Sequence, residues 1–366
     1  MAALRKIVVR DFRNIELQEL EFSPNVNCIS GNNGEGKTNL LEAIYYLSMT
    51  KSPFGTMDKL NIRHGRDSFA IAGTYRMNTV PEAKFSIEVR SGGDKRLSRD
   101  DKPCRRVSSH IGELPVVMVS PSDTSLISES GDGRRRFVNA VLSQMDPQYL
   151  SALQGYNRLL AHRNRLLKDE GPDQDLLEAI DASMTPLSDV ITKARGEFAS
   201  MLNPAVARYY GLLSGGREAV SIAYKADLGD RAFADVMASC RQKDMVLGFT
   251  SRGVHRDDFD FSMDSHPIRY CGSQGQQKSF LVSLKFAQYD IMKQAAGYPP
   301  MLLLDDVFDK LDMDRISNLV SMVAGNDFGQ IFITDTDRSR LSSIVDRMTQ
   351  DRAYFETSAG VFTKTV

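Results

Sequence analysis

Apolar and polar positions change rhythm twice along this 366-residue chain. In the first stretch, residues 4–10 and 26–30 read as strands. Two further runs alternate, Phe69-Ala70-Ile71 and Phe85-Ser86-Ile87-Glu88-Val89, and a turn at residues 91–95 follows them. Leu40, Leu41, Ile44 and Leu47 have the spacing of a helix laying one face on a sheet. After Val116-Val117-Met118-Val119 the pattern becomes mainly helical, from about Pro121 to about Met245, broken at Gly171-Pro172 and Gly215-Gly216. Strands then return. Phe259, Phe261 and Met263 alternate, Asp264-Ser265 makes a turn, and Ile268 and Tyr270 alternate on the way back, which predicts a hairpin. Met301-Leu302-Leu303-Leu304 and Gln330-Ile331-Phe332-Ile333-Thr334 read as buried strands. These rhythms predict an α/β head built from both ends of the chain, residues 1–120 and 246–366. A mainly helical arm, residues 121–245, is inserted between them. One continuous α/β domain with long crossings is the alternative.

Composition narrows the class without naming a chemistry. A hydrophobic content of 42% and a charged content of 25% belong to an ordinary soluble globular chain. The net charge of -1 supplies no global basic field, so any nucleic-acid affinity has to come from local patches. Cys28, Cys104, Cys240 and Cys271 lack zinc-finger or redox spacing and read as reduced structural thiols. The first residues turn charged too early for a signal peptide, and no apolar run approaches the ~20 residues of a membrane span. A cytoplasmic protein with no membrane partner is expected.

The chemistry sits in three segments. Gly31-Asn32-Asn33-Gly34-Glu35-Gly36-Lys37-Thr38 has P-loop spacing, with a strand before it and a helix after it. Glycines let backbone amides turn inward around phosphate oxygens, aided by the positive end of the following helix. Lys37 is expected to bridge the outer phosphates of ATP, and the Thr38 hydroxyl to bind Mg2+. A Gly-rich turn can imitate this spacing, but not together with its flanks and a partner motif. That partner is Leu302-Leu303-Leu304-Asp305-Asp306, an apolar strand ending in two carboxylates. Asp305 is expected to hold Mg2+ through water, and Asp306 to orient or deprotonate the attacking water. A single Asp here would be no more than a helix cap. The third segment, Ser273-Gln274-Gly275-Gln276-Gln277-Lys278, opens an amphipathic run and can form a helix-start anion site.

In their chain order, P-loop, Ser273 segment and acidic strand end, the three segments resemble the ABC ATPase superfamily, and in detail the RecF DNA-repair family, in the branch that includes SMC and Rad50 proteins. Further matching residues are Ile7-Val8-Val9-Arg10-Asp11-Phe12-Arg13-Asn14, Arg134-Arg135-Arg136-Phe137, the run from Tyr156 to Asn164, His255-Arg256-Asp257-Asp258, and the run from Leu303 to Asp312. The resemblance spans nearly the whole chain. It implies an ATP-dependent homodimer in which Ser273, Gly275 and Gln276 meet the γ-phosphate held by the other subunit, with Asp312 in a loop crossing the seam. It further implies that Arg13 and Asn14 contact nucleotide. The family assists loading of the RecA recombinase at single-strand gaps or single/double-strand junctions, with RecO and RecR as partners, which places the chain in DNA replication, recombination and the SOS response. Many ABC ATPases carry a switch histidine after the last core strand, whereas this chain reads Thr334-Asp335-Thr336-Asp337. Weak, DNA-stimulated hydrolysis used as a switch therefore fits better than fast turnover. An ATPase subunit of a membrane transporter is the alternative, and that class would keep the histidine.

A helix through residues 153–168 places Leu153, Tyr156, Leu160 and Leu167 on one side and Arg158, His162 and Arg165 nearly opposite. With Arg134, Arg135 and Arg136, the arginines Arg158 and Arg165 could form a stripe that neutralises DNA phosphates. For any one arginine the plain reading is a solvated face. Arg163 projects nearer the apolar side and is expected to pair. His255 and Arg256 read as a contact between domains, part of the dimer seam, or a satisfied turn.

Overall fold

The computed structural model describes residues 2–78, 80–169, 171–308, 315, 318–319, 322, 328–346 and 349–365. These residues form two compact units. Unit 1 comprises Met1–Thr124, Leu212–Gly215 and Ser273–Val366, and unit 2 comprises Ser125–Gly211 and Gly216–Gly272.

Unit 1 contains two six-stranded sheets. Strands β1 (Ala3–Phe12), β2 (Ile15–Glu21), β4 (Ser68–Arg76), β5 (Ala83–Arg90), β6 (Lys95–Arg99) and β7 (Lys102–Pro103) make an antiparallel sheet in the order β2-β1-β4-β5-β6-β7. Its residues alternate between buried and partly exposed, as in β4, because one face packs inward and the other does not. The second sheet runs β15-β14-β3-β13-β12-β8. It uses β3 (Val26–Ser30), β8 (Val116–Val119), β12 (Met301–Leu304), β13 (Ile331–Asp335), β14 (Arg352–Ser358) and β15 (Val361–Thr365). All its pairs are parallel except β14 with β15. Strands β3, β8, β12 and β13 are buried at every position, as expected of a parallel sheet covered on both faces. Because β3, β13 and β12 are neighbours and parallel, the segments following Ser30, Leu304 and Asp335 emerge on the same edge. That carboxyl edge is where open α/β sheets bind ligands.

Helix α1 (Lys37–Met49) follows β3 after the loop. The apolar spacing suggested a helix with one face on a sheet, but the burial is nearly complete all round: Leu40, Leu41, Ala43, Ile44, Tyr46 and Leu47 are fully covered. The helix touches β1, β4 and β5 of one sheet and β8 and β13 of the other, so both flanks need apolar side chains.

Unit 2 holds helices α2 (Ser125–Ser128), α3 (Gly131–Met145), α4 (Pro147–Leu166), most of α5 (Gln174–Ser214), α6 (Phe233–Leu247) and α7 (Ile268–Cys271). It also has a three-stranded sheet in the order β11-β10-β9, made of β9 (Val220–Lys225), β10 (Asp258–Met263) and β11 (His266–Pro267). Strand β9 lies inside the stretch whose overall pattern is helical; the alternation of Val220, Ile222 and Tyr224 is its signature. The returning arm of the hairpin is shorter than its alternation suggests. Only His266 and Pro267 pair, and Ile268–Cys271 coils into a short helix that buries Ile268 and leaves Tyr270 76% exposed. Residues 246–272, which the sequence pattern joins to the head, group in unit 2 because β10 pairs with β9. Among the described residues, no helix is long and apolar enough to cross a membrane.

Candidate nucleotide site and signature helix

The P-loop leaves β3 through Gly31 and enters α1 through Gly36, whose φ of 107° lies in the left-handed region that a side chain disfavours. A Cβ on Gly36 would also lie 2.7 Å from Asn14 Oδ1, so the residue is required twice over. Lys37 is buried and its Nζ donates to the carbonyls of Gly31 at 2.8 Å and Asn32 at 3.1 Å, folding the ammonium back across the loop.

Thr38 Oγ1 donates to the Asp305 carboxylate, 2.8 Å from Oδ2 and 3.0 Å from Oδ1. Thr334, at the end of the intervening strand β13, donates to Asp305 Oδ1 at 2.8 Å and accepts the Asp306 N–H at 3.0 Å. Burial raises the Asp305 carboxyl above its ordinary range; the Thr334 and Thr38 hydroxyls pull it part of the way back, Asp306 adds to the rise and Lys37 opposes it. A hydroxyl beside a desolvated carboxylate is a hard oxygen donor set that fits a divalent cation, whose charge would relieve the burial of Asp305. Asp306 adopts φ 44°, left-handed and uncommon for any residue but Gly, Asn and Asp. Lys278 Nζ lies 3.4 Å from the Asp306 carbonyl. Thr334 and Lys278 were absent from the site drawn from sequence. For Thr334 the signal was its place at the end of a buried strand beside two others that carry motifs.

Arg13 and Asn14 stand at the tight turn between β1 and β2, Arg13 at φ 52°. The Arg13 guanidinium pairs with Glu42, a fully buried carboxylate on α1, at 2.6 and 2.8 Å. Asn14 donates to the Glu35 carbonyl at 3.2 Å and accepts from Asn39 at 2.7 Å. Asn14 thus braces the loop, and Arg13 the helix that follows it.

Ser273 is the N-cap of helix α8 (Gln274–Ala296). Its Oγ accepts the Gln276 N–H at 3.3 Å, and Gln276 Oε1 accepts the Ser273 N–H at 2.8 Å, forming a reciprocal capping box. Ser273 is exposed and Gly275 partly so. A Cβ on Gly275 would meet Arg315 Nη1 at 2.5 Å. Asp312 lies outside the described residues.

The structure divides the arginine stripe. Arg134 is buried, donates bidentately to Asp258 at 2.8 and 2.9 Å, and also donates to the carbonyls of Leu126 and Glu129, so it leaves the stripe for the interior of unit 2. Arg135 donates to the Asp257 carbonyl and to Asp132, both at 2.6 Å. Arg136, Arg158 and Arg165 are exposed. Arg163 is fully buried against Asp181 and Asp244, at 2.7 and 2.8 Å. His255 is a satisfied turn: its ring meets Tyr156 Oη at 2.9 Å and the Thr250 carbonyl at 3.0 Å, and burial lowers its pKa.

A P-loop and an acidic strand end, joined by a hydroxyl–carboxylate contact on one edge of a parallel sheet, define an ATPase head of the ABC type. Residues 3–354 match the RecF/RecN/SMC N terminal domain. The DNA replication and repair protein RecF of Phocaeicola vulgatus is 41% identical over 363 residues, covering 99% of this chain and 98% of the relative. That of Bacteroides thetaiotaomicron is 40% identical, covering 98% and 97%. The structure of the recombination mediator protein RecF-ATP of the RecFOR pathway superposes with a TM-score of 0.90 at 29% identity, covering 100% of this chain and 98% of the other. An SMC head bound to the C-winged helix domain of ScpA shares the fold, with a TM-score of 0.60 at 11% identity and coverage of 99% and 97%. The chain belongs to the RecF family.

Proposed function

We propose that this protein is an ATP-dependent DNA-binding protein of recombinational repair, acting at single-strand gaps or junctions as an ATP-gated homodimer in the cytoplasm. The observation that carries the reading is the Thr38–Asp305 contact, which places P-loop hydroxyl and strand-end carboxylate in one cluster, in a chain whose relatives are RecF proteins. Lys37 exchanges its loop carbonyls for the outer phosphates of ATP. Thr38 and Asp305 hold Mg2+, which supplies charge neutralisation at the phosphates when bound. Asp306 orients or deprotonates water for a slow hydrolysis that reopens the dimer and releases DNA. Ser273, Gly275 and Gln276 complete the site of the opposite subunit. Arg136, Arg158 and Arg165 neutralise phosphates without reading bases. In this role the dimer helps load RecA together with RecO and RecR.

The test is binding to a labelled gapped duplex with ATP, with ADP and with the Lys37→Arg variant, while following dimer mass. Arginine keeps the charge, but its planar fork cannot occupy the pocket that seats Nζ between two carbonyls. Dimer and tight binding are expected with ATP alone, and Lys37→Arg should lower apparent affinity by about tenfold or more. Weak binding by a monomer whatever the nucleotide would reject the gated clamp.

Ser273 separates its two roles by substitution. Ser273→Ala removes the cap, at about 1 kcal/mol of stability, together with the hydroxyl. Ser273→Asp keeps a capping oxygen but sets a negative charge toward the phosphate of the facing subunit. Both variants should bind ATP as monomers, and Ser273→Asp should dimerise less than Ser273→Ala despite the better cap. Dimerisation that follows cap strength instead would refute the role in trans.

A further inference from the structure

We propose that the C-terminal hairpin of β14 and β15 is a positioning strut for the P-loop, with Thr357 and Gly360 as its working residues. The proposal rests on the reading of this loop as an ATP site and adds to it a part of the chain that holds no motif.

The contacts reach both ends of the loop. At its start, Gly31 packs so closely on Thr357 that a Cβ there would lie 2.6 Å from the Thr357 carbonyl oxygen and 2.7 Å from its Cγ2. Toward its end, three donors converge on the Glu35 carbonyl: the Gly360 N–H at 2.9 Å, Thr357 Oγ1 at 3.2 Å and Asn14 Nδ2 at 3.2 Å. The Glu35 carboxylate accepts the N–H of Ala359, in the same turn. Asn14 closes the ring, since its own carbonyl accepts from Arg63 Nη1 at 2.7 Å and stands 2.4 Å from where a Gly360 Cβ would be.

The turn itself carries strain that its local sequence does not call for. Ser358 pairs with Val361, leaving Ala359 and Gly360 as a two-residue loop with φ of 50° and 80°. Both positions are left-handed, which Asn-Gly satisfies easily and alanine does not, at about 1 kcal/mol. An alanine held there points to a turn shaped by what it grips. It grips Glu35, toward the end of the phosphate cradle.

A strut acts on binding more than on chemistry. Without it the empty loop samples other shapes, and apparent affinity falls by the fraction of time the cradle is formed. Once ATP sits in the loop, the phosphates impose the shape, and turnover proceeds as before.

Three variants test this with a fluorescent ATP analogue for Kd and steady-state hydrolysis for KM and kcat. Thr357→Val keeps the methyl against Gly31 and removes the donor, and should raise Kd and KM about threefold. Gly360→Ala pushes the turn off Asn14 and should raise them about tenfold, the size expected if the cradle forms about a tenth of the time. In both, kcat should stay within about twofold of the parent. Thr357→Ser restores the donor and should return Kd to the parent value, which a mere packing defect would not do. Unchanged Kd in the first two variants, or a fall in kcat with Kd intact, overturns the strut while leaving the ATP reading in place. Failure of the parent chain to bind the analogue overturns both.

Discussion

Asp306→Asn is expected to slow ATP hydrolysis by about two to three orders of magnitude, the range for losing a positioned general base. Nucleotide-dependent dimers should still form and should last longer. The local geometry makes this substitution unusually clean. Asp306 sits at φ 44°, and asparagine is among the few residues that accept this conformation as readily as aspartate. Its N–H keeps the bond to Thr334 Oγ1, so the cluster around Asp305 is undisturbed. Asp306→Ala, by contrast, adds backbone strain and confuses two effects. The measurement is single-turnover hydrolysis beside dimer lifetime after dilution into nucleotide-free buffer. Parent-like hydrolysis by Asp306→Asn would remove it as the base and shift attention to other groups near the strand ends.

Arg163→Met should destabilise unit 2 by about 3–5 kcal/mol, because it strands buried carboxylates without their cation. Arg163 and Asp244 are fully buried and Asp181 is 4% exposed. The guanidinium also donates to Thr250 Oγ1 at 2.9 Å, which ties the segment after α6 to α4. Asp181 has a second cation, Arg241, at 3.5 Å, whereas the Asp244 carboxylate otherwise accepts the Ser251 N–H at 3.0 Å. Adding Asp244→Asn to Arg163→Met should therefore recover part of the loss. Urea unfolding of the four members of this cycle gives the coupling directly. A loss under about 1 kcal/mol for Arg163→Met would mean that the pair contributes little beyond its own desolvation.

Much of the head was legible in local pattern. Strands β3, β12 and β13 announce themselves as continuous apolar runs, and β4 and β5 as alternations, because burial on two faces or one writes a different period into the chain. The P-loop is equally local in its spacing, which eight residues carry, although Gly36 and Gly31 also answer the close approach of Asn14 and Thr357. Legibility failed where an element's partners are remote. Strand β9 is a strand because β10 lies beside it, and within a helical stretch its six residues carry too short a period to stand out. The end of the β10 hairpin reads as a strand, yet pairing stops at Pro267, which has no N–H to continue a ladder.

Charged side chains show the limit most clearly. Sequence sets Arg134, Arg135 and Arg136 in a row and gives no way to rank them. The structure buries the first against Asp258, 124 residues away, bonds the second to the Asp257 carbonyl and exposes the third. Sequence alone determined the kinds of element, the phosphate loop and the acidic strand end, since periodicity and backbone freedom act over a few residues. Only tertiary structure decided that Thr38 meets Asp305 across 267 residues, that Thr334 links Asp305 to Asp306, that Glu42 holds Arg13, and which arginines remain for a partner. A hydrogen bond or ion pair depends on which groups approach within about 3 Å, and that is set by the packing of whole elements rather than by spacing along the chain.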